Sequence, residues 1–220
     1  MSKGKFIVLD GNDGSGKQTQ SELLRDFLSK QNKKGLQLSF PRYEETFFGG
    51  MLKELLAGKY GNFVDLDPHL ASLPYAVDRW SSKDLIESTL EDGGFVICDR
   101  YASANQIHQG GKVENIEERK EFLSWLDRME YKELKIPKPD IFVYLDVPLE
   151  ISLGLMNKKN KDTVENNHKY LSNSRESAEW LIKQNPDKWV NIQCVHKGKI
   201  RTRKDIHKEI VSKLEERKLL

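Results

Sequence analysis

The sequence has little of several features that mark other classes of protein. Its 220 residues include only two cysteines, Cys98 and Cys194, which lie in apolar stretches without metal-ligand or C-x-x-C spacing. We therefore expect reduced core thiols in a cytoplasmic protein, and neither a disulfide framework nor a zinc site. No run approaches the roughly 18 apolar residues of a membrane span. The apolar run before Asp10 has four residues, too short for a secretory signal.

Strong charge bias is also lacking. The 36 basic and 34 acidic residues leave a net charge of +2, too small to indicate a nucleic-acid partner. A local basic cluster at residues 197–204 has no interleaved aromatics, so it is interpreted as a solvated turn and helix start. No internal repeat or linker-like stretch divides the chain. We therefore predict one domain over residues 1–220, large enough to bury a core, without a nucleic-acid or membrane partner.

Five short apolar runs alternate with amphipathic patterns along the chain. The runs are mostly continuous, which is typical of parallel strands covered on both faces. They are residues 6–9, 36–40, 95–98, 141–145 and 190–194. Helices are expected around residues 17–31, 69–91, 117–133, 172–184 and 203–218. The alternation predicts right-handed βαβ units, and so an α/β fold with a five-stranded parallel sheet and helices on both faces.

A glycine-rich segment directly follows the first apolar run. Gly11, Gly16 and Lys17 fit the phosphate-loop pattern G-x-x-x-x-G-K-[ST], with Gln18 at the hydroxyl position. The glycines let backbone N–H groups point at an anion, Lys17 adds a cation, and a following helix adds its dipole. The segment therefore predicts a nucleotide site. Its expected ATP-binding residues are Gly11, Gly14, Ser15, Gly16, Lys17, Gln18 and Thr19.

Three arginines each lie next to an aromatic residue. Arg42 and Arg100 follow the second and third strands, and Arg79 lies on a predicted helix. A single Asp–Arg pair is more often a structural ion pair than a binding site. Three such arginines near the carboxyl edge of a parallel sheet instead favour phosphate binding, because guanidinium groups bind phosphate oxygens in a bidentate way.

The motifs together resemble the thymidylate kinase family, in order and separation, from about residue 4 to residue 215. They are Gly11–Lys17, Phe40-Pro-Arg-Tyr43, Tyr75–Arg79, Asp99-Arg-Tyr101, Asn105, Gln109-Gly110, Leu145–Pro148 and Asn185–Trp189. The resemblance implies the P-loop nucleoside-monophosphate kinase fold with a short lid at about residues 154–172. It also implies a homodimer that transfers the γ-phosphate of ATP to dTMP with Mg²⁺.

The resemblance also implies roles for particular residues. Lys17 and the loop amides would hold the ATP phosphates, while Arg42 and Arg100 would bind the dTMP phosphate. Tyr75 would stack on the thymine ring. Arg79 and Asn105 would contact the base edge, and Gln109 would lie beside the substrate. Asp13 would be the loop carboxylate that orients the sugar 3′-hydroxyl and organises Mg²⁺. Asp99 would be a further partner of the metal. The expected catalytic residues are Lys17, Arg100 and Asp13.

Three departures from the family pattern bear on this interpretation. Gln18 replaces the usual Ser or Thr that ligates Mg²⁺, and Thr19 lies one position after the place that the motif reserves for this hydroxyl. His108 replaces an aromatic beside the deoxyribose, where it either excludes a 2′-hydroxyl by bulk or accepts a hydrogen bond from one. In the lid, Thr163 lies where arginine is common. The cations that remain there for ATP are Lys158, Lys159 and Lys161.

The function predicted from these observations is transfer of the ATP γ-phosphate to dTMP, giving dTDP. Two alternatives stay open at this point. One is a kinase for another nucleoside monophosphate or for a nucleoside, and the other is a nucleotide-binding protein with impaired catalysis, suggested by Gln18 and Thr163.

Overall fold

A computed structural model describes residues 3–155 and 167–220 of the chain. The five main strands are Lys5–Gly11 (β1), Gly35–Ser39 (β2), Phe95–Asp99 (β3), Ile141–Asp146 (β4) and Trp189–Gln193 (β5). They form one parallel sheet in the order β2-β3-β1-β4-β5, which confirms the predicted five-stranded parallel sheet. A small antiparallel hairpin, Val195–His196 (β6) with Lys199–Ile200 (β7), was not predicted.

The α-helices of the described residues lie between and after these strands. They are Lys17–Lys30 (α1), Phe47–Leu56 (α2), Pro68–Trp80 (α3), Lys83–Glu91 (α4), Ala102–His108 (α5), Ile116–Asp127 (α6), Leu149–Leu155 (α7), His168–Gln184 (α8) and Arg203–Glu216 (α9). Shorter helical turns are Phe63–Asp65 and Gly110–Lys112, both 3₁₀, and Arg128–Glu133, a π-helix that continues α6. None of the helices in this part of the chain is long and apolar enough to cross a bilayer.

The sequence-based helix boundaries were wrong in one informative place. A single helix was expected over residues 69–91, but α3 ends at Trp80 and α4 begins at Lys83. Ser81 and Ser82 lie at the break, and the Ser81 hydroxyl donates to the Val77 carbonyl. Serine side chains compete for backbone hydrogen bonds and so favour helix ends. The short helices α2, α5 and α7 had too few turns to show a periodic pattern and were missed.

Alternate residues of each strand build two cores, one on each face of the sheet. In β1, Phe6 and Val8 pack in the cluster that includes Ala178 of α8. Ile7 and Leu9 point the other way and join a cluster with residues of α1 and α9. Because successive side chains of a strand point to opposite faces, continuous apolar strands need helices on both faces. The two layers hold the carboxyl ends of β1, β2 and β3 together at one edge.

Candidate active site

The loop after β1 has the backbone geometry of an anion cradle. Gly11 has a φ of 144°, and a Cβ there would lie 2.7 Å from the Leu145 carbonyl oxygen. Gly16 has a φ of 89°, and it precedes α1 without a side-chain cap. A positive φ therefore favours glycine at both positions, and at Gly11 the close approach of the Leu145 carbonyl is a second reason. The uncapped first turn of α1 leaves its N–H groups to bind an anion.

Lys17 lies in the same loop and is directed back over it. Its Nζ donates to the carbonyl oxygens of Gly11 (3.1 Å) and Asn12 (2.9 Å), and it lies 3.8 Å from the Asp13 carboxylate. Burial lowers the pKa of Lys17 from its ordinary value, as does the nearby Arg100, while the Asp13 carboxylate raises it. The site thus holds a desolvated cation at the end of this loop.

Arg100 joins the loop to the end of β3. It has a positive φ of 63°, its backbone N–H donates to the Leu9 carbonyl at 2.9 Å, and its guanidinium donates to the Asp13 carboxylate. Burial opposes ionisation of Asp13, yet Arg100 and Lys17 hold the pKa of Asp13 well below its usual range. Left-handed backbone in a residue other than glycine is uncommon and concentrates at functional sites. The three predicted catalytic residues therefore form one contiguous charged cluster.

Two further carboxylates, Asp99 and Asp10, lie close to Lys17 and Arg100. Burial raises the pKa of Asp99, and Lys17 and Arg100 counteract the rise. Burial also raises the pKa of Asp10, which accepts hydrogen bonds from the Gly11 N–H at 2.9 Å and the Ser103 hydroxyl at 2.7 Å. Asp10 thereby attaches the phosphate loop to the start of α5. The sequence showed Asp10 at a strand end, but not this contact.

The oxygen donors of the cluster fit Mg²⁺. Asp13 and Asp99 are both close enough to Lys17 to shift its pKa, and carboxylates are hard ligands suited to this ion. Within residues 3–155 and 167–220 no three His, Cys, Asp or Glu side chains form a metal-binding group. Mg²⁺ is commonly held by one or two carboxylates together with substrate phosphates, so two carboxylates beside a phosphate loop are a sufficient protein contribution.

A cleft next to Asp13 and Arg100 contains most of the predicted substrate-binding residues. Its walls include Tyr75, Arg79, Asn105, His108 and Gln109. Among these, the side chains of Arg79 and Asn105 are almost fully buried. The structure therefore places these five residues along one depression, beside Asp13 and Arg100.

Arg42 is placed differently. Its Nη1 donates to the Ser82 hydroxyl at 2.8 Å, and its backbone N–H donates to the Asp78 carboxylate at 2.9 Å. Its neighbours Pro41 and Tyr43 line the cleft, but Arg42 does not. The buried Asp78, which also accepts from the Thr46 hydroxyl, therefore fixes the loop after β2, a role that no local sequence pattern reveals. A phosphate-binding role for Arg42 stays a prediction.

The inner end of the cleft contains a buried ion pair. Arg79 donates from Nε to Glu130 Oε2 at 2.8 Å and from Nη2 to Glu130 Oε1 at 2.7 Å. Asn105 Nδ2 donates to the same Glu130 oxygen at 3.0 Å and to the Ser72 carbonyl at 3.1 Å. Sequence reasoning missed Glu130, because it lies on the π-helical turn after α6 and 51 residues from Arg79.

Aromatic and imidazole rings form two parts of the cleft wall. The Tyr75 ring packs edge-on against Phe63, with centroids 5.8 Å apart. His108 is stacked parallel to Tyr170 at 6.1 Å, its Nδ1 lies 3.2 Å from the Ser174 hydroxyl, and Gln109 contacts the Tyr170 hydroxyl at 3.3 Å. Burial and the nearby Arg100 lower the pKa of His108 to about 3, so this ring is neutral near pH 7.

The ATP side of the site includes Gln18 and Thr19 at the start of α1. Gln18 is exposed and its amide donates to Glu22 at 3.1 Å, while Thr19 is half-buried on α1. Lys158, Lys159 and Lys161, with the central part of the predicted lid, lie outside the described residues. At the flanks of the lid, α7 ends at Leu155 and α8 begins at His168, four residues earlier than its pattern indicated.

Comparisons with known proteins agree with these features. The profile of the thymidylate kinase family matches residues 9–206. The chain is 30% identical to a probable thymidylate kinase of Methanococcus aeolicus over 216 residues, 98% of both chains. It is 30% identical to the thymidylate kinase of Plasmodium falciparum over 214 residues, 96% of this chain and 90% of the other.

Solved structures show the same fold. A thymidylate kinase from Candida albicans superposes with a TM-score of 0.76 at 22% identity, covering all of this chain and 94% of the other. A thymidylate kinase from Ehrlichia chaffeensis superposes with a TM-score of 0.69 at 22% identity, covering 96% and 99%. The profile match extends over most of the chain, from the end of β1 into α9, and includes the phosphate loop and every residue of the cleft. The chain therefore belongs to the thymidylate kinase family.

Proposed function

We propose that this protein transfers the γ-phosphate of ATP to dTMP, producing dTDP. The observation that carries the proposal is the continuity of the cleft, which runs from the Asp13–Arg100 pair to the buried Arg79 and Asn105 side chains. One end is suited to a phosphate and the other to a polar base edge. An ATPase or a nucleoside kinase has no acceptor phosphate, so it would have no use for a second cation at this end of the cleft.

The chain's own residues do most of this work by alignment and charge. The loop amides and Lys17 bind the phosphates of ATP. Arg100, which Asp13 holds beside Lys17, binds the phosphate of the acceptor. Phosphoryl transfer needs little covalent participation by the protein, because positioning and electrostatic stabilisation supply most of the rate. Tyr75 and His108 enclose the base and sugar, which excludes water as a competing acceptor.

We propose Mg²⁺ as the cofactor, held by Asp13 and Asp99 together with the ATP phosphates. When bound, Mg²⁺ neutralises charge on the phosphate oxygens. Gln18, whose amide now bonds Glu22, is then a minor contributor to metal binding.

The experiment that tests the proposal is a coupled assay of ADP release with ATP and a panel of acceptors. The panel contains dTMP, dUMP, UMP, dCMP, dGMP and thymidine, each with and without Mg²⁺. We expect ADP release that depends on dTMP and on Mg²⁺. Equal ADP release without any monophosphate would refute the proposal, and tight dTMP binding without turnover would instead support the nucleotide-binding alternative.

We also propose that the protein is a homodimer. Phe47 of α2 and the α3 residues Leu70, Leu73 and Trp80 are exposed although they are large and apolar. Leu73 and Trp80 are seven residues apart, so they lie on one face of α3, and exposed apolar patches often mark protein interfaces. Light scattering should show a dimer for the wild-type protein and a monomer for Trp80→Lys. A monomeric wild-type protein would refute this assembly.

A cytoplasmic location is proposed as well. Cys98 and Cys194 are unpaired and buried, and burial raises the pKa of Cys194 to about 12, which keeps the thiol protonated. Reduced, unreactive thiols are typical of proteins in a reducing compartment. Cell fractionation with an antibody against the native protein tests the location, and recovery in a membrane or secreted fraction would contradict it.

A further inference from the structure

The buried triad at the inner end of the cleft consists of Arg79, Asn105 and Glu130, from α3, α5 and the π-helical turn after α6. The side chains of Arg79 and Glu130 are 1% and 2% exposed, and their two hydrogen bonds are parallel and bidentate. The same carboxylate also binds the Asn105 amide. Three elements far apart in sequence therefore meet at one carboxylate beside the cleft.

The partners of Asn105 determine which way its amide faces. Its Nδ2 donates to the Ser72 carbonyl oxygen and to Glu130 Oε1. A backbone carbonyl and a carboxylate are acceptors only, so a flipped amide would place its oxygen against two other oxygens. Both hydrogens of the amide are thus used inside the protein. The only group that Asn105 has left for a ligand in the cleft is its Oδ1, an acceptor.

Glu130 likewise determines what Arg79 offers to the cleft. Its carboxylate takes Nε and one hydrogen of Nη2, and within residues 3–155 and 167–220 Nη1 has no hydrogen-bond partner. Arg79 lines the cleft with this nitrogen still able to donate. The inner end of the cleft therefore presents one acceptor, Asn105 Oδ1, next to one donor, Arg79 Nη1.

This donor and acceptor pattern matches one class of pyrimidine. A 4-keto pyrimidine has an N3–H donor beside an O4 acceptor, whereas a 4-amino pyrimidine has an N3 acceptor beside an amino donor. We propose that Glu130 is a specificity-determining positioning residue, which locks the Asn105 amide so that the cleft accepts 4-keto pyrimidine monophosphates and rejects 4-amino ones. The inference deepens the proposed function and rests on it. Glu130 itself does not line the cleft, so it acts through its two partners.

The test is Glu130→Gln, measured as kcat/KM for dTMP, dUMP and dCMP. The glutamine amide can donate as well as accept, so it removes one of the two acceptor oxygens that oppose a flipped Asn105 amide and weakens the lock. We expect the preference for dTMP over dCMP to fall by about tenfold or more, because a site built for one hydrogen-bond pattern leaves groups unpaired with the other. The preference for dTMP over dUMP should stay the same, since these bases differ only in the 5-methyl group. A general structural defect would lower both preferences together.

The chain offers a matched control in Glu133→Gln. Glu133 lies on the same π-helical turn, but its side chain is 62% exposed and pairs with Arg128. This variant should leave all three kcat/KM values unchanged. If Glu130→Gln does not fold, Glu130→Asp keeps the charge against Arg79 but is too short to bind both partners, and it should also lower the preference for dTMP over dCMP.

The outcomes separate this inference from the proposed function. No ADP release by the wild-type protein with any monophosphate refutes the function, and calorimetric binding of dTMP and dCMP then tests the inference by itself. Equal binding of the two by the wild-type protein would overturn it. So would a folded Glu130→Gln or Glu130→Asp variant with the wild-type preference for dTMP over dCMP.

Discussion

The two ends of the cleft differ in whether their buried polar side chains have hydrogen-bond partners. At the phosphate end, Ser15 Oγ and Arg100 Nε are buried without a hydrogen-bond partner among the described residues, and Arg100 has a left-handed backbone. At the base end, the Arg79, Asn105 and Glu130 side chains are held by four mutual or backbone hydrogen bonds at most 3.1 Å long.

The difference shows how the two ends divide the task. Unpaired buried donors cost stability, and a bound anion repays that cost, so the phosphate end is prepared for a charge that the protein lacks. The base end is satisfied before any ligand arrives, and it supplies a fixed pattern for recognition. We therefore expect substitutions at the phosphate end to affect mainly activity, and those at the base end to affect mainly stability and specificity.

The largest effect is expected for Lys17→Ala and Arg100→Ala. In the proposed reaction each of these cations stabilises the transferred phosphoryl group, so kcat/KM for dTMP should fall by at least about 10³-fold in either variant. The coupled ADP assay measures it. Arg25→Ala, on the exposed face of α1, is the matched control and should retain full activity. Variants that retain more than a tenth of wild-type activity would show that the charged cluster is not the reaction centre.

Arg79→Met should have the largest effect on stability. It leaves the Glu130 carboxylate buried without a charged partner, so the free energy of unfolding should fall by about 3–5 kcal/mol. Urea denaturation measures it, and the double variant Arg79→Met with Glu130→Met should recover most of the loss. Arg128→Met, which breaks an exposed pair, should cost less than about 1 kcal/mol. A double variant as unstable as Arg79→Met alone would contradict the buried-charge explanation.

His108 should make part of the stability depend on acid pH. Its pKa is about 3 in the folded protein and about 6.5 when unfolded, so between these values the unfolded chain binds the proton and the folded protein does not. Stability therefore falls as pH falls below 6.5. His108→Phe should remove about 1–2 kcal/mol of the loss between pH 7 and pH 5. Chemical denaturation at both pH values checks this, and an unchanged difference would refute it.

The smallest effect is expected for Lys112→Met. Lys112 donates to the carbonyl oxygens of Phe63 (3.2 Å) and Leu66 (2.9 Å), and its Nζ lies 5.1 Å from the Phe63 ring, which packs on Tyr75. Loss of this support, worth about 1 kcal/mol, should raise KM for dTMP by about fivefold without changing kcat. Lys120→Met, at an exposed position on α6, is the control. A fall in kcat instead would place Lys112 in the reaction itself.

The phosphate end could be predicted from sequence because its chemistry is local. Gly11, Gly16 and Lys17 lie within seven consecutive residues, and the backbone between them forms the cradle. The sheet was predictable for a similar reason, since each strand is a continuous apolar run. The base end was predictable only in part, because Arg79 and Asn105 belong to recognisable motifs but their shared partner Glu130 does not.

What the sequence determined by itself is therefore the class of fold, the phosphate loop and many, but not all, of the residues that line the cleft. What only the tertiary structure decided is orientation. It directed Arg42 toward Ser82, brought Asp78 under the loop after β2, and turned the Asn105 amide toward Ser72 and Glu130. The physical reason is that a hydrogen bond depends on the direction of both partners. Partners separated by tens of residues acquire that direction only when the elements that carry them pack together.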